Sequence, residues 1–320
     1  MKAIQVSEFG GPEQLVLRDI PEPKPKAGEV LVRIHAAGVN PADTYMRTGT
    51  YAVKPALPYT PGMDGAGEVL AVGSGVTSFK PGDRVYVGGP LCATYAEQTA
   101  CVEQNIHPLP QKISFKEGAA LGVPYATAYR ALFQKARMQA DETVLVNGAS
   151  GGVGLAAVQL AKAHGATVIG TAGTERGSKL VKDNGADHVL DHSSPDLAKQ
   201  IHDLTGGKGP NVILEMLANV NLARDLQIIG RYGRIVIIGN RGSIEINPRD
   251  AMARDAIVYG MVLFNATPQD QAEIHAGLAR LMTEGRIKPV IGTELPLGKA
   301  REAHEQVMKP GSYGKIILIP

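Results

Sequence analysis

The chain has 320 residues and a formal charge of +2, with 33 Lys and Arg scattered among 31 acids, a balance that offers no basic stripe for nucleic acid and favours a small-molecule enzyme. Its 44% hydrophobic content, 38 glycines and 21 prolines suit a turn-rich globular protein of two domains and leave no disordered tract. There is no run of about 18 apolar residues, residues 1–9 turn polar too soon for a signal peptide, and two cysteines, Cys92 and Cys101, cannot build a disulfide framework or a Cys-rich zinc site, so a cytoplasmic protein with two packed thiols is expected.

From residue 2 to about 108, short β-rich runs such as 29–35 and 67–73 are broken by Gly and Pro, which predicts a sheet or partly open barrel. Pro21, Pro23 and Pro25 mark an extended connector, and Pro81, Gly82 and Asp83 a turn between strands. The character changes near Glu117, where 117–124 and 126–135 read as helices. After them, strand patterns at 143–147, 167–171, 188–190, 212–215, 234–238 and 257–263 follow one another, with helical patterns between the first five. That alternation describes a doubly wound parallel sheet, whose ligand lies beyond the carboxyl ends of its strands. Residues 269–320 hold a helical stretch through Leu278, Leu281 and Met282, another at 300–308, and the apolar run 315–319, which is expected to pair back into the first domain.

Gly148, Gly151 and Gly154 recur every third residue where the chain leaves Val144, Leu145 and Val146 for a helical pattern that Gly165 ends. Backbone without side chains can approach a pyrophosphate closely, and the first amides of the helix can donate to it. The spacing GxxGxxG departs from the usual GxGxxG, so an ordinary tight strand-to-helix turn is the alternative, against which the alternation that follows argues. In a dinucleotide fold the second strand delivers an acid that reads the adenosine ribose. Residues 167–174 end without one, and Glu175, Arg176, Ser178 and Lys179 follow. Two cations suit a 2′-phosphate and favour NADPH over NADH; pairing of Glu175 with Arg176 or Lys179 on a solvated helix face is the other reading.

The motifs Phe9-Gly10-Gly11-Pro12, Gly38-Val39-Asn40-Pro41, Gly49-Thr50-Tyr51, residues 57–62, Pro124-Tyr125 with 127–130, the glycine turn, and residues 170–174, 215–221 and 244–250 run through essentially the whole chain. Together they resemble the medium-chain dehydrogenase/reductase superfamily and, within it, the zeta-crystallin type of NADPH:quinone oxidoreductase. The resemblance implies an α/β protein with a GroES-like β-rich catalytic domain at 1–123 and 265–320 and a Rossmann domain at 124–264. It implies Asn40 as donor to an acceptor oxygen, Asp43 as an orienting residue, Tyr45 beside them, and Tyr51 as a hydrogen-bonding wall for cofactor or substrate; each has an alternative as a turn or packing residue. For NADPH it implies Tyr51 and Thr127, then Ser150, Gly151, Gly152 and Val153 at the pyrophosphate. Gly173, Lys179 and His192 would lie near the adenosine, and Asn221, Ile238, Gly239, Asn240, Arg241, Met261, Val262 and Leu263 would complete the wall. Backbone groups of the last three would hold the carboxamide, and Arg241 is a second candidate for the 2′-phosphate. One departure from close relatives is Asn147, where they carry His; at a strand end it is expected to matter little.

Zinc-bearing alcohol dehydrogenases of this superfamily hold their catalytic metal through a Cys and a His of the first domain. Asn40 stands at the Cys position and Met63-Asp64 at a His-Glu pair, and the four-cysteine lobe is missing, so no metal is expected and Asp64 reads as a structural hydrogen-bonding acid. Without those ligands alcohol oxidation is disfavoured, since an alkoxide needs a Lewis acid. A quinone is already electron-poor and chiefly needs alignment with the cofactor. An NADPH-dependent enone or alkenal reductase is the alternative. Binding of AU-rich RNA or a lens-crystallin role is secondary at most, given the dispersed charge and the retained glycine turn. The strand at 257–263 is expected at the sheet edge, pairing with its mate in a homodimer or homotetramer.

Overall fold

Strands whose apolar residues alternate bury one face, and those covered on both sides become apolar throughout. In a computed structural model, which describes residues 1–311 and 313–320, the N-terminal part forms β1 (Lys2–Gln5), β2 (Val16–Asp19), β3 (Glu29–Val39), α1 (Pro41–Arg47), β4 (Asp64–Val72), β5 (Arg84–Gly88), β6 (Gln98–Val102) and β7 (Ile106–Pro108), followed by α2 (Phe115–Gly118) and α3 (Gly122–Tyr129). Along β3, Val30, Val32 and Ile34 point inward in alternation, and then every residue from Ala36 to Val39 is buried. The change coincides with its neighbours: β3 pairs with β4 throughout, with β6 over its first half, and with another strand over residues 37–39.

Next come β8 (Thr143–Val146), α4 (Gly152–His164), β9 (Thr167–Ala172), α5 (Glu175–Asp183), β10 (His188–Asp191), α6 (Leu197–Leu204), β11 (Val212–Glu215), α7 (Ala218–Ile228), β12 (Arg234–Ile237), α8 (Pro248–Met252), β13 (Ile257–Gly260) and α9 (Pro268–Thr283). The chain then makes β14 (Ile291–Pro296), α10 (Ala300–Val307) and β15 (Lys315–Ile319). It divides into two compact units, Met1–Val123 with Ala279–Pro320, and Pro124–Leu278.

In the first unit a sheet runs β14-β15-β3-β4-β5-β7, with β6 also on β3, and β1 and β2 form a separate antiparallel pair. The terminal run does pair back: β15 lies antiparallel to β3 and parallel to β14. Its Leu318 joins Val30, Val32, Ile34, Tyr95 and Leu297 in one buried cluster. In the second unit six parallel strands run β10-β9-β8-β11-β12-β13. The chain starts at β8, steps outward to β10, and returns past β8 to β11, so the direction of winding reverses there, the place where such sheets bind ligands. Gly165, at φ +103°, ends α4 as its spacing predicts.

The class is the expected α/β one, with two local differences. The sixth parallel strand stops at Gly260, because Met261 N–H makes a last bond to Ile237 O and Val262 O then accepts from Asn265 N–H in a 3-10 turn. The helical stretch expected over 126–135 is split between α3 and a π-helical segment, Arg130–Lys135. Among the described residues, no helix is long and apolar enough to cross a membrane.

Candidate functional site

In the second unit, β8 leads directly into the glycine turn. Gly148 sits at φ +66°, where a side chain is strained, and its N–H is held by Thr171 Oγ1 at 3.0 Å. Ala149 N–H bonds Thr171 O at 2.9 Å, so the turn is tied to the end of β9. Gly151 caps α4 in extended backbone, leaving the amides of Gly152, Val153 and Gly154 as the first-turn donors that an anion would meet. Gly154 is a packing position, since a Cβ there would lie 2.5 Å from Gly148 O and 2.6 Å from Ala149 Cα.

The strand after the turn, β9, ends at Ala172 with no carboxylate. Gly173 follows, and a Cβ on it would lie 2.6 Å from the His192 ring, so these two predicted adenosine neighbours are side by side. Thr174 caps α5 by accepting from Gly177 N–H at 3.1 Å. Lys179 pairs with Asp183, one turn on, at 2.8 Å and with its side chain 75% exposed; the solvated-face alternative therefore describes it, with Asp183 and not Glu175 as partner. Ile238 and Gly239 donate N–H bonds to Glu215 O at 2.8 and 3.2 Å, Arg241 N–H bonds Asn219 Oδ1 at 2.9 Å, and Asn240 Nδ2 bonds Gly242 O at 2.7 Å. Val262 is exposed, and Met261 and Leu263 are buried at the same sheet end. Thr127 is buried on α3, and no hydrogen bond ties it to these loops among the described residues.

Asn147 overturns the expectation that it matters little. It is 2% exposed, and its Nδ2 donates to Glu215 Oε2 at 2.5 Å and to Asp225 Oδ1 at 3.1 Å. Both carboxyls are fully buried. Burial pushes the Asp225 carboxyl well above the carboxylate range, and the charge of Glu215 and a hydrogen bond with it push the same way, while Arg224 at 3.9 Å opposes them. Asp225 therefore holds its proton to higher pH than a free carboxyl does. Glu215 Oε1 accepts from Leu217 N–H and, at 3.1 Å, from Asn221 Nδ2. The two acids therefore set the entry of α7, and with it Asn221.

In the first unit, Asn40 caps α1 and Asp43 reaches back to accept from Asn40 N–H at 2.8 Å. Asn40, Asp43 and Asp64 are all buried. Tyr95 Oη lies 3.4 Å from Asp43 Oδ2 and 3.2 Å from His304 Nε2. Burial, assisted by the Arg47 charge, lowers His304 to about 3, so its ring is neutral. Tyr45 acts through its carbonyl, which accepts from the N–H groups of Thr50 and Tyr51 at 3.0 and 3.2 Å and holds their segment to α1. Burial and then the Asp43 charge push the Tyr51 phenol up, which keeps it a donor.

Lys315, expected only as the start of the terminal apolar run, completes this cluster. Its Nζ donates to Asn40 Oδ1 at 2.5 Å and to Asp64 Oδ2 at 2.7 Å, and Asn40 Nδ2 donates to the same carboxylate at 2.9 Å. Asp64 Oδ2 thus accepts from both side chains. Among the described residues, no group of three or more His, Cys, Asp or Glu is arranged to hold a metal ion.

Burial raises Asp43 from its ordinary value of 3.8 to about 7, the Asn40 N–H opposing and Asp64 adding to the effect. Below pH 4 folded and unfolded chains both hold this proton; between about 4 and 7 only the folded chain does, so the stability it contributes is lost as pH rises through that window, by about 1.4 kcal/mol per unit. Asp43→Asn is expected to flatten this fall, as read from urea midpoints across that range. Equal slopes in variant and wild type would refute it.

Two family models match the chain: an alcohol dehydrogenase GroES-like domain over residues 26–137 and a zinc-binding dehydrogenase over residues 152–283. The human protein named quinone oxidoreductase is 50% identical, over 100% of this chain and 98% of its own length. An Escherichia coli quinone oxidoreductase solved with NADPH superposes with a TM-score of 0.91 at 32% identity, covering 100% of both chains. A structure described as an NAD-dependent alcohol dehydrogenase reaches 0.92 at 32% identity over 100% of both chains, so shape alone does not select the coenzyme. The two family models, and about 50% identity along the full length to proteins named quinone oxidoreductase, place the chain in the medium-chain dehydrogenase/reductase superfamily, among its quinone oxidoreductases.

Proposed function

We propose that the protein reduces quinones with NADPH, without a metal ion. The observation that carries this reading is the glycine turn between β8 and α4 beside a second strand that ends at Ala172, with Gly173 next and no acid at the strand end to repel a 2′-phosphate. Bound there, NADPH would supply a hydride. Ser150, Gly151, Gly152 and Val153 would meet the pyrophosphate through backbone amides. Gly173 and His192 would flank the adenosine, and Lys179 could exchange its exposed partner Asp183 for the 2′-phosphate. Asn221, residues 238–241 and residues 261–263 would form the remaining wall. On the first unit, Asn40 and Tyr51 would donate to the oxygen that gains charge, and Asp43 would hold Asn40 in place. The NADPH complex of the Escherichia coli relative supports the choice of coenzyme. Exposed Ile257 and Val258 on the edge strand β13 support self-association through that edge, which sedimentation would test.

The direct test is steady-state oxidation of NADPH and of NADH with 9,10-phenanthrenequinone, 1,4-benzoquinone and an enone. Quinone turnover with kcat/KM at least about 10-fold higher for NADPH is expected, the worth of one charge-assisted contact to the 2′-phosphate. Turnover of the enone alone would move the protein to the alkenal reductases, and preference for NADH would remove the phosphate contact from the reading.

A further inference from the structure

Lys315 is the first residue of β15, yet it is 3% exposed and aims its charge into the first unit at Asn40 and Asp64, themselves 3% and 0% exposed. The chain makes room for it: a Cβ on Gly38 would fall 2.7 Å from Lys315 Cε. Lys315 Nζ, the Asn40 amide and Asp64 Oδ2 form a closed triangle with sides of 2.5, 2.7 and 2.9 Å, and Asp64 Oδ1 takes Val123 N–H at 2.7 Å. An ammonium only donates and a carboxylate only accepts. An amide caught between them has one satisfactory orientation, oxygen toward Lys315 and nitrogen toward Asp64. Turned over, it would set NH2 against ammonium and oxygen against carboxylate, losing both bonds. A cation on the amide oxygen also draws electron density from the nitrogen, which strengthens its N–H as a donor. Nδ2 spends one hydrogen on Asp64, and the Asn40 side chain also makes a hydrogen bond with the Asp43 carboxyl, the weakest of the influences on that acid, which the acceptor oxygen would take over.

We propose that Lys315 is a positioning residue for quinone reduction: with Asp64 it locks the Asn40 amide so that an N–H, and never the carbonyl oxygen, is presented to the oxygen of the acceptor. The inference rests on the quinone reductase reading above. One hydride from NADPH and one proton from solvent convert the quinone to hydroquinone and leave NADP+; Asn40 keeps all its atoms and acts only as a donor to the oxygen on which charge develops. Lys315 touches neither reactant in this scheme and acts through Asn40.

Lys315→Met alone would strand the Asp64 carboxylate and threaten the fold. The informative protein is the neutral double variant Lys315→Met/Asp64→Asn, which removes both charges together. The new amide at position 64 would take Val123 N–H on its oxygen and offer N–H to Asn40, which must answer with its own oxygen and so turn its amide over. Expected is a kcat with 9,10-phenanthrenequinone lower by about 100-fold, the cost of losing one such donor, with a melting temperature within a few degrees of wild type. The Kd for NADPH, read from cofactor fluorescence, should stay within about twofold. A double variant with wild-type kcat, or one whose loss lies wholly in NADPH binding, would overturn the proposal. Wild-type protein that binds NADPH and leaves quinone unreduced would overturn the functional reading itself, and would be recognised before any variant is made.

Discussion

Asn147→Leu is expected to destabilise the second unit by about 3 kcal/mol at pH 7, because it removes the amide that Glu215 and Asp225 share without changing the volume much. Glu215 would keep Leu217 N–H and Asn221, whereas Asp225 would lose the donor on Oδ1 and keep only its contact with Glu215 and the more distant Arg224. The companion variant, Asp225→Asn, should have the opposite sign at high pH. Asp225 is raised above its ordinary 3.8 by burial first and by Glu215 second. Above that value the folded chain holds a proton that the unfolded chain has released, so wild-type stability falls with rising pH by about 1.4 kcal/mol per unit until the folded group titrates. An amide at 225 carries its own hydrogens and has nothing to release. Urea unfolding at pH 5 and pH 8 should show the wild type losing ground to Asp225→Asn at the higher pH. A loss below about 1 kcal/mol for Asn147→Leu, within the range of ordinary surface changes, would show that the acids find other donors.

The second large effect concerns the turn itself. Gly154→Val should weaken NADPH binding by at least about 100-fold, roughly 3 kcal/mol. The first atom of any side chain there would meet Gly148 O, Ala149 Cα and Ala149 C at 2.5, 2.6 and 2.7 Å, and these are backbone atoms of the turn, which cannot swing aside as a flexible side chain can. The start of α4 must then lift off, and its free amides lose their common aim. Gly151 offers the contrast. Its backbone is extended, at φ −79° and ψ 173°, and a Cβ would find nothing nearer than Gly148 O at 3.8 Å. Gly151→Ala is accordingly expected to keep its stability within about 0.5 kcal/mol. Calorimetric titration with NADPH and thermal melts of the two variants would check both statements. Tight binding by Gly154→Val would mean that the coenzyme does not use this turn.

The Rossmann strands were readable because each is a short β-branched run closed by a local signal, and the rules of parallel crossovers then order them. The overrun of β13 by three residues has a local cause that periodicity does not report: Val262 O turns back to Asn265 N–H, while the residues stay as apolar as a strand. The partner of Lys179 is also local, since Asp183 stands four residues away, the spacing of a helical ion pair. Lys315 and Asn147 were opaque for a different reason. Lys315 looks like the polar start of an apolar strand, and its partners lie 251 and 275 residues away. Asn147 meets acids 68 and 78 residues downstream. A buried polar group gains its meaning from what surrounds it, and chain separation on that scale hides the surroundings.

The pairing of β15 with β3 also sets an order of events during synthesis. The second unit is one continuous stretch, Pro124–Leu278, whose strands and helices succeed one another, so it can close while the ribosome is still adding residues. The first unit cannot, since its sheet lacks an inner strand, and its buried Asp64 carboxylate lacks a counter-charge, until residues 315–319 emerge. For that interval β3 shows a free edge and apolar surface to the cell. The half of the molecule translated first is the half completed last, and its yield in a living cell should depend more on chaperone supply than that of the dinucleotide-binding half.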